Sequence, residues 1–269
     1  MTKGTLTFVG LGLYDEKDIS LKGLETVKNC DKVFAEFYTA KLAGTNFQKL
    51  EKILGKKIIL LSREDVEKGN KIIKSATTER VALLVAGDPM TATTHVDLRL
   101  RAIDQGIDTS LIHGSSIITA VAGLLGLQIY KFGRTTTLAF PEKNYFPTSP
   151  YDVIKENKTI GLHTLVLLDI QQDKELYMTA NQAIDLLLDI ENVRNEKIIT
   201  KETIVCVVGR AGSLEPIVAS NSIEELKKRD FGPPLHSLVI PSQLHFMEIE
   251  ALEKLAGFPS DFGKKLQKL

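Results

Sequence analysis

Val81-Ala82-Leu83-Leu84-Val85-Ala86-Gly87-Asp88-Pro89 is the stretch that decides the fold class. Six consecutive apolar residues closed by glycine and proline have no alternation, so both faces of the strand they form are buried. Strands of that kind belong to sheets covered by helices on both sides. The loop that follows, Gly87-Asp88-Pro89-Met90-Thr91-Ala92-Thr93-Thr94-His95, places a carboxylate, a rigid proline and three threonines at the strand's carboxyl end. Ligands in open α/β sheets bind at such ends. The same residues also suit an ordinary turn in which Asp88 caps the next helix.

Upstream, Leu6 to Val9 reads as a buried strand running into the Gly10-Leu11-Gly12 turn. Asp18-Ile19-Ser20-Leu21-Lys22-Gly23-Leu24 supplies N-cap candidates for a helix carrying Leu21, Leu24 and Val27 at helical spacing. A strand over 31–37, a helix over 47–54, a strand over 57–61 and one polar helix ending near Thr78 lead to the central run. After it come a helix over 95–106 and a strand over 109–113. This alternation predicts an α/β protein with a mostly parallel sheet.

After Ser115 the pattern changes to a small-residue helix over 117–125 and then a Thr-, Phe- and Pro-rich segment over 132–150. The reading is two α/β domains, 1–114 and 115–269. In the second, strands are expected over 162–170, 204–208 and 237–240, with helices over 179–188, 222–228 and from about His245.

The 269 residues are 43% hydrophobic, enough for a sizeable core, and carry 34 basic against 34 acidic side chains. The positive field of a protein that grips nucleic-acid backbones is therefore missing. No apolar run approaches the roughly 20 residues that span a bilayer. The start shows no signal-peptide pattern, and Cys30 and Cys206 read as small apolar fillers, so a cytoplasmic protein is expected.

Gly10-Leu11-Gly12-Leu13-Tyr14-Asp15 begins like a dinucleotide fingerprint, but Asp15 replaces the third glycine, which weakens that reading. No phosphate-binding Walker sequence and no Gly-x-Ser-x-Gly elbow occur. The five histidines, at 95, 113, 163, 236 and 245, show no metal-ligand spacing, so no metal is expected and ordinary structural roles suit them.

An ordered set of motifs resembles the tetrapyrrole-methylase-like class of S-adenosylmethionine-dependent methyltransferases and, within it, the diphthine synthase family. It comprises Phe8 to Asp15, Ala35-Glu36-Phe37-Tyr38-Thr39, Leu61-Ser62-Arg63-Glu64-Asp65-Val66 and Gly87 to His95. It continues with Ile129-Tyr130-Lys131-Phe132-Gly133, Phe146-Pro147-Thr148-Ser149, Tyr151 to Asn157 and Gly161-Leu162-His163-Thr164. Tyr177-Met178-Thr179-Ala180-Asn181 and Arg210-Ala211-Gly212-Ser213 complete it. The resemblance runs to about Gly257.

That resemblance implies two α/β lobes with S-adenosylmethionine folded in the cleft between them, and a homodimer. It places cofactor contacts on Leu13, Asp88, Thr91, Ser116, Ile117, Leu168, Ala211 and His236. Two positions depart from the family's habit: Gly114-Ser115 stand where Ala-Pro is common, and Thr91 where an aliphatic residue is. The implied reaction is repeated methylation of the amino nitrogen of a 3-amino-3-carboxypropyl-histidine on translation elongation factor 2, in diphthamide biosynthesis. S-adenosylhomocysteine is the by-product, and neither nucleic acid nor membrane is a direct partner. No catalytic residue is assigned. A base for the amine is open between Asp88, Glu36 and desolvation alone, and Arg63, Lys131 and Arg134 are the cations near family motifs that would suit a substrate carboxylate.

Overall fold

Val81 pairs in parallel register with Leu6 on one side and Lys32 on the other, which sets the central strand of a five-stranded sheet. The structure is a computed structural model and describes residues 4–37, 41–143 and 145–260. Tyr38 and Thr39 of the second family motif lie outside the described residues. Two compact units divide the chain: residues 1–117 with 171–175, and residues 118–170 with 176–269.

In the first unit the strands are β1 (Thr5–Gly10), β2 (Lys32–Glu36), β3 (Ile58–Leu60), β4 (Arg80–Val85) and β5 (Asp108–Ile112). Their order is β3-β2-β4-β1-β5, and every pairing is parallel. The apolar run of β4 is explained by its two faces. Val81, Leu83 and Val85 pack with Leu6, Phe8, Ile72 and Leu98, while Ala82, Leu84 and Ala86 pack with Val9, Val27, Leu50 and Leu54. Each large apolar side chain so buried contributes roughly 1.5–3 kcal/mol.

The helices around this sheet start where their caps are. Ser20 accepts the Gly23 amide at the head of α1 (Leu21–Asn29), and Asn46 accepts the Lys49 amide at the head of α2 (Phe47–Leu54). The single polar helix expected before β4 is instead two, α3 (Arg63–Lys68) and α4 (Asn70–Ala76). Gly69, at φ 66°, ends the first in the left-handed region that glycine enters without strain, and the chain restarts at once. α5 (His95–Asp104) follows the Gly-Asp-Pro loop.

The second unit also has a five-stranded sheet, ordered Ile217–Ser222, Ile204–Gly209, His236–Ile240, Thr164–Leu168 and Thr136–Leu138. Its first three pairings are antiparallel and its last is parallel. Two of these strands, Thr136–Leu138 and Ile217–Ser222, have no counterpart in the sequence reading. Neither has the helix Ser149–Thr159, whose Tyr151 and Ile154 are fully buried. The helix expected over 179–188 runs on to Arg194, begun by a capping box between Thr179 and Gln182. Among the described residues no helix is long and apolar enough to cross a membrane.

Candidate active site

β1 lies between β4 and β5, and the loops leaving the carboxyl ends of these three strands converge. Gly87 N donates to Gly12 O at 2.7 Å, and Gly12 N donates back to Gly87 O at 3.3 Å. A Cβ on Gly10 would stand 2.5 Å from Gly114 N and 2.6 Å from Gly87 O. One on Gly114 would stand 2.4 Å from Gly87 O. The three loops therefore pass closely over β1, Gly10 leaving no room for a Cβ, and Gly87 itself sits at φ 74°.

Asp88 fills the head of this convergence. Its Oδ1 accepts the Met90 amide at 3.0 Å and the Thr91 hydroxyl at 3.2 Å, and its Oδ2 lies 2.7 Å from His113 Nδ1. Burial opposes its charge, but the Met90 amide and His113 outweigh that and hold the carboxyl below its ordinary pKa. Thr91, the departure from the family's aliphatic habit, thus gains a polar partner. Leu13 follows the first glycine turn, where the amides of Leu13, Tyr14 and Asp15 converge on Asp18 Oδ2 at 3.2, 2.6 and 3.3 Å. Donors that a dinucleotide loop would offer to a pyrophosphate are consumed here by a carboxylate, which is the physical reason the incomplete fingerprint is not one. Ser116 and Ile117 follow β5, and Ile117 opens the helix Ile117–Leu125; both are half-buried.

Behind the loop, Pro89 O accepts from the Thr93 hydroxyl at 3.2 Å and from His95 Nδ1 at 3.0 Å. His95 Nε2 faces Glu36 Oε1 at 3.6 Å with both side chains fully buried. Glu36 is thus turned toward the interior of the first unit.

In the second unit the expected cofactor residues gather at one end of the sheet. Leu167 pairs with Ser237 and Gly209 with His236, so Leu168, Ala211 and His236 occupy neighbouring strand ends. His236 Nδ1 accepts the Ala180 amide at 3.1 Å, which leaves the proton on Nε2. That buried Nε2 has no hydrogen-bond partner among the described residues, and burial pushes the imidazole's pKa below its ordinary value. A buried donor lacking an acceptor, together with a glycine-lined strand end, fits a nucleoside-bearing cofactor.

The three cations expected to suit a substrate carboxylate each have a carboxylate already. Arg63 Nε meets Glu67 at 2.8 Å, Arg134 meets Glu156 at 2.7 Å, and Lys131 meets the buried Glu248 at 2.6 Å. Sequence reasoning did not connect His113 with Asp88. Its position at the end of β5, matching that of Asp88 after β4, was the available signal.

Residues 5–227 match the family model of the tetrapyrrole (corrin/porphyrin) methylases, so fold and site define an enzyme of the methyltransferase class. The chain belongs to this family and, within it, to the diphthine synthases. It is 53% identical over 251 residues to a diphthine synthase of Methanococcus maripaludis strain C7, covering 93% of this chain and 98% of that one. A diphthine synthase of Methanosarcina barkeri strain Fusaro is 52% identical over 267 residues, covering 97% of this chain and all of the other. A crystal structure of a diphthine synthase superposes with a TM-score of 0.88 at 41% identity, covering 97% of this chain and 99% of that one.

Proposed function

We propose that this methyltransferase takes S-adenosylmethionine as its methyl donor and acts on translation elongation factor 2. There it methylates, repeatedly, the amino nitrogen of a 3-amino-3-carboxypropyl-histidine, a step of diphthamide biosynthesis. The observation that carries this reading is the near full-length identity to proteins named diphthine synthase. The domains are 1–114 and 115–269, and Leu13, Asp88, Thr91, Ser116, Ile117, Leu168, Ala211 and His236 are the residues that hold the cofactor. The convergent glycines and the unpartnered His236 donor support that assignment.

When bound, the sulfonium would supply an activated methyl group to a nitrogen lone pair of the substrate. The protein's own task is to align the amine, keep water out and receive protons. The enzyme works in the cytoplasm as a homodimer; the free, buried thiols of Cys30 and Cys206 suit a reducing compartment.

Mass measurement of the modified elongation factor after incubation with the protein and S-adenosylmethionine tests the reading. A gain of whole methyl units is expected. An unchanged mass, with cofactor bound to the protein, would overturn it.

A further inference from the structure

We propose that His113, oriented by Asp88, is the general base that takes the proton from the substrate's ammonium group before each methyl transfer. This rests on the reading that the acceptor is an amine. The geometry settles which ring nitrogen is available. Asp88 Oδ1 is occupied by the Met90 amide and the Thr91 hydroxyl, and Oδ2 lies 2.7 Å from His113 Nδ1. A carboxylate can only accept, so Nδ1 carries the hydrogen and Nε2 keeps its lone pair.

Exposure fits the role. The His113 side chain is 72% exposed while that of Asp88 is 10% exposed, so the imidazole reaches outward from a fixed, buried anchor. Its Nε2 makes no hydrogen bond among the described residues, and Asp88 is the charged side chain within ion-pair distance of the ring. His113 follows the last residue of β5 and stands three residues before Ser116, beside the glycine convergence over β1. The other carboxylates suit the task less: both Asp88 oxygens are engaged by donors, and Glu36 is fully buried against His95.

Chemistry requires such a group more than once. A primary amine is an ammonium near neutral pH and has no lone pair, and every transfer to nitrogen yields a new, charged amine. In the proposed step the N–H bond breaks and its electron pair stays on the amine nitrogen. The proton bonds to Nε2, the imidazolium is balanced by Asp88, and the exposed ring then releases the proton to bulk water. His113 is thereby reset for the next transfer.

The test compares wild type with His113→Gln, which cannot accept the proton. Single-turnover methylation of the modified elongation factor should slow by about 100-fold near pH 7, with the gap closing as pH rises and the amine loses its proton unaided. Added imidazole should restore part of the rate to His113→Ala. Calorimetric S-adenosylmethionine binding should stay within about threefold of wild type, and nitrogen NMR of the cofactor-free protein should find the His113 proton on Nδ1. A His113→Gln rate within about twofold of wild type, a defect equal at every pH, or a proton on Nε2 would overturn the proposal. If wild type leaves the elongation factor unmethylated, the functional reading fails, and the NMR result still decides the state of His113.

Discussion

Glu248 and Lys131, 117 positions apart in the chain, meet at 2.6 Å with the carboxylate fully buried. The same carboxylate accepts the amides of Gln128 at 2.9 Å and His245 at 2.8 Å, and His163 Nε2–H at 3.1 Å. Every donor around it is spoken for, so Lys131 acts as part of the second unit's framework. Glu248→Gln should lower unfolding stability by about 2–4 kcal/mol, because a donor amide replaces one of the accepting oxygens. Lys131→Met should cost less, about 1–2 kcal/mol, the lysine being partly exposed. Urea midpoints at neutral pH read both.

Stability should fall with acid in two stages. Burial lowers the pKa of His163 and His236 below the ordinary 6.5, so the unfolded chain binds protons that the folded one refuses. Their contribution is complete above about 6.5 and is lost as pH falls below it. For Glu248, burial pushes the pKa up, but Lys131 and the Gln128 and His245 amides outweigh it and bring the carboxyl down to about 2. Its contribution is present above the ordinary 4.5 and is lost as pH falls toward 2. Urea midpoints measured against pH should show a first decline as pH falls below 6.5 and a further one below 4.5; a flat profile through both ranges would contradict it.

Gly10→Ala should damage the site. The new Cβ would meet Gly114 N at 2.5 Å and Gly87 O at 2.6 Å, and these are main-chain groups that cannot swing aside. A stability loss of about 1–3 kcal/mol is expected, with at least a tenfold weakening of S-adenosylmethionine binding by calorimetry, whereas Gly55→Ala, facing open space, should leave the cofactor affinity unchanged.

Tyr151→Phe should cost about 1 kcal/mol. The phenol donates to Glu191 Oε2 at 2.7 Å, and burial and Glu191 push its pKa up to about 12. Glu191 also gathers the amides of Lys197, Ile198 and Ile199. Removal of that carboxylate in Glu191→Ala should cost more than the tyrosine change, since three amides, that of the buried Ile199 among them, then lose their acceptor; thermal melts of the two variants give the ranking.

Much of the first unit was legible because its signals are local. A strand buried on both faces must be apolar throughout its buried run, and β4 is from Val81 to Val85; Ser20 sits where an N-cap must. The second unit hid more. Ser149-Pro150 closes the Thr-, Phe- and Pro-rich segment, yet proline is tolerated in a helix's first turn because its missing N–H would have no partner there, so the helix Ser149–Thr159 escaped notice. Ile217–Ser222 ends in Ser-Asn-Ser and lacks the apolar run that marked the others; its pairing with Ile204–Gly209 holds it in the sheet. Among the candidate site residues, Asp88 was visible by its place after a buried strand, while His113 looked like one more scattered histidine.

The sequence by itself determined the α/β class, the buried β4 run, the glycine turns and the family, since each is written in neighbouring residues and their spacing. Only the tertiary structure decided that Asp88 and His113, 25 residues apart, share a hydrogen bond, that Glu248 claims Lys131, and that the second sheet is largely antiparallel. Those outcomes depend on which strand ends and loops are brought together across the sheet, and a hydrogen bond between distant residues leaves no trace in the local pattern of either one.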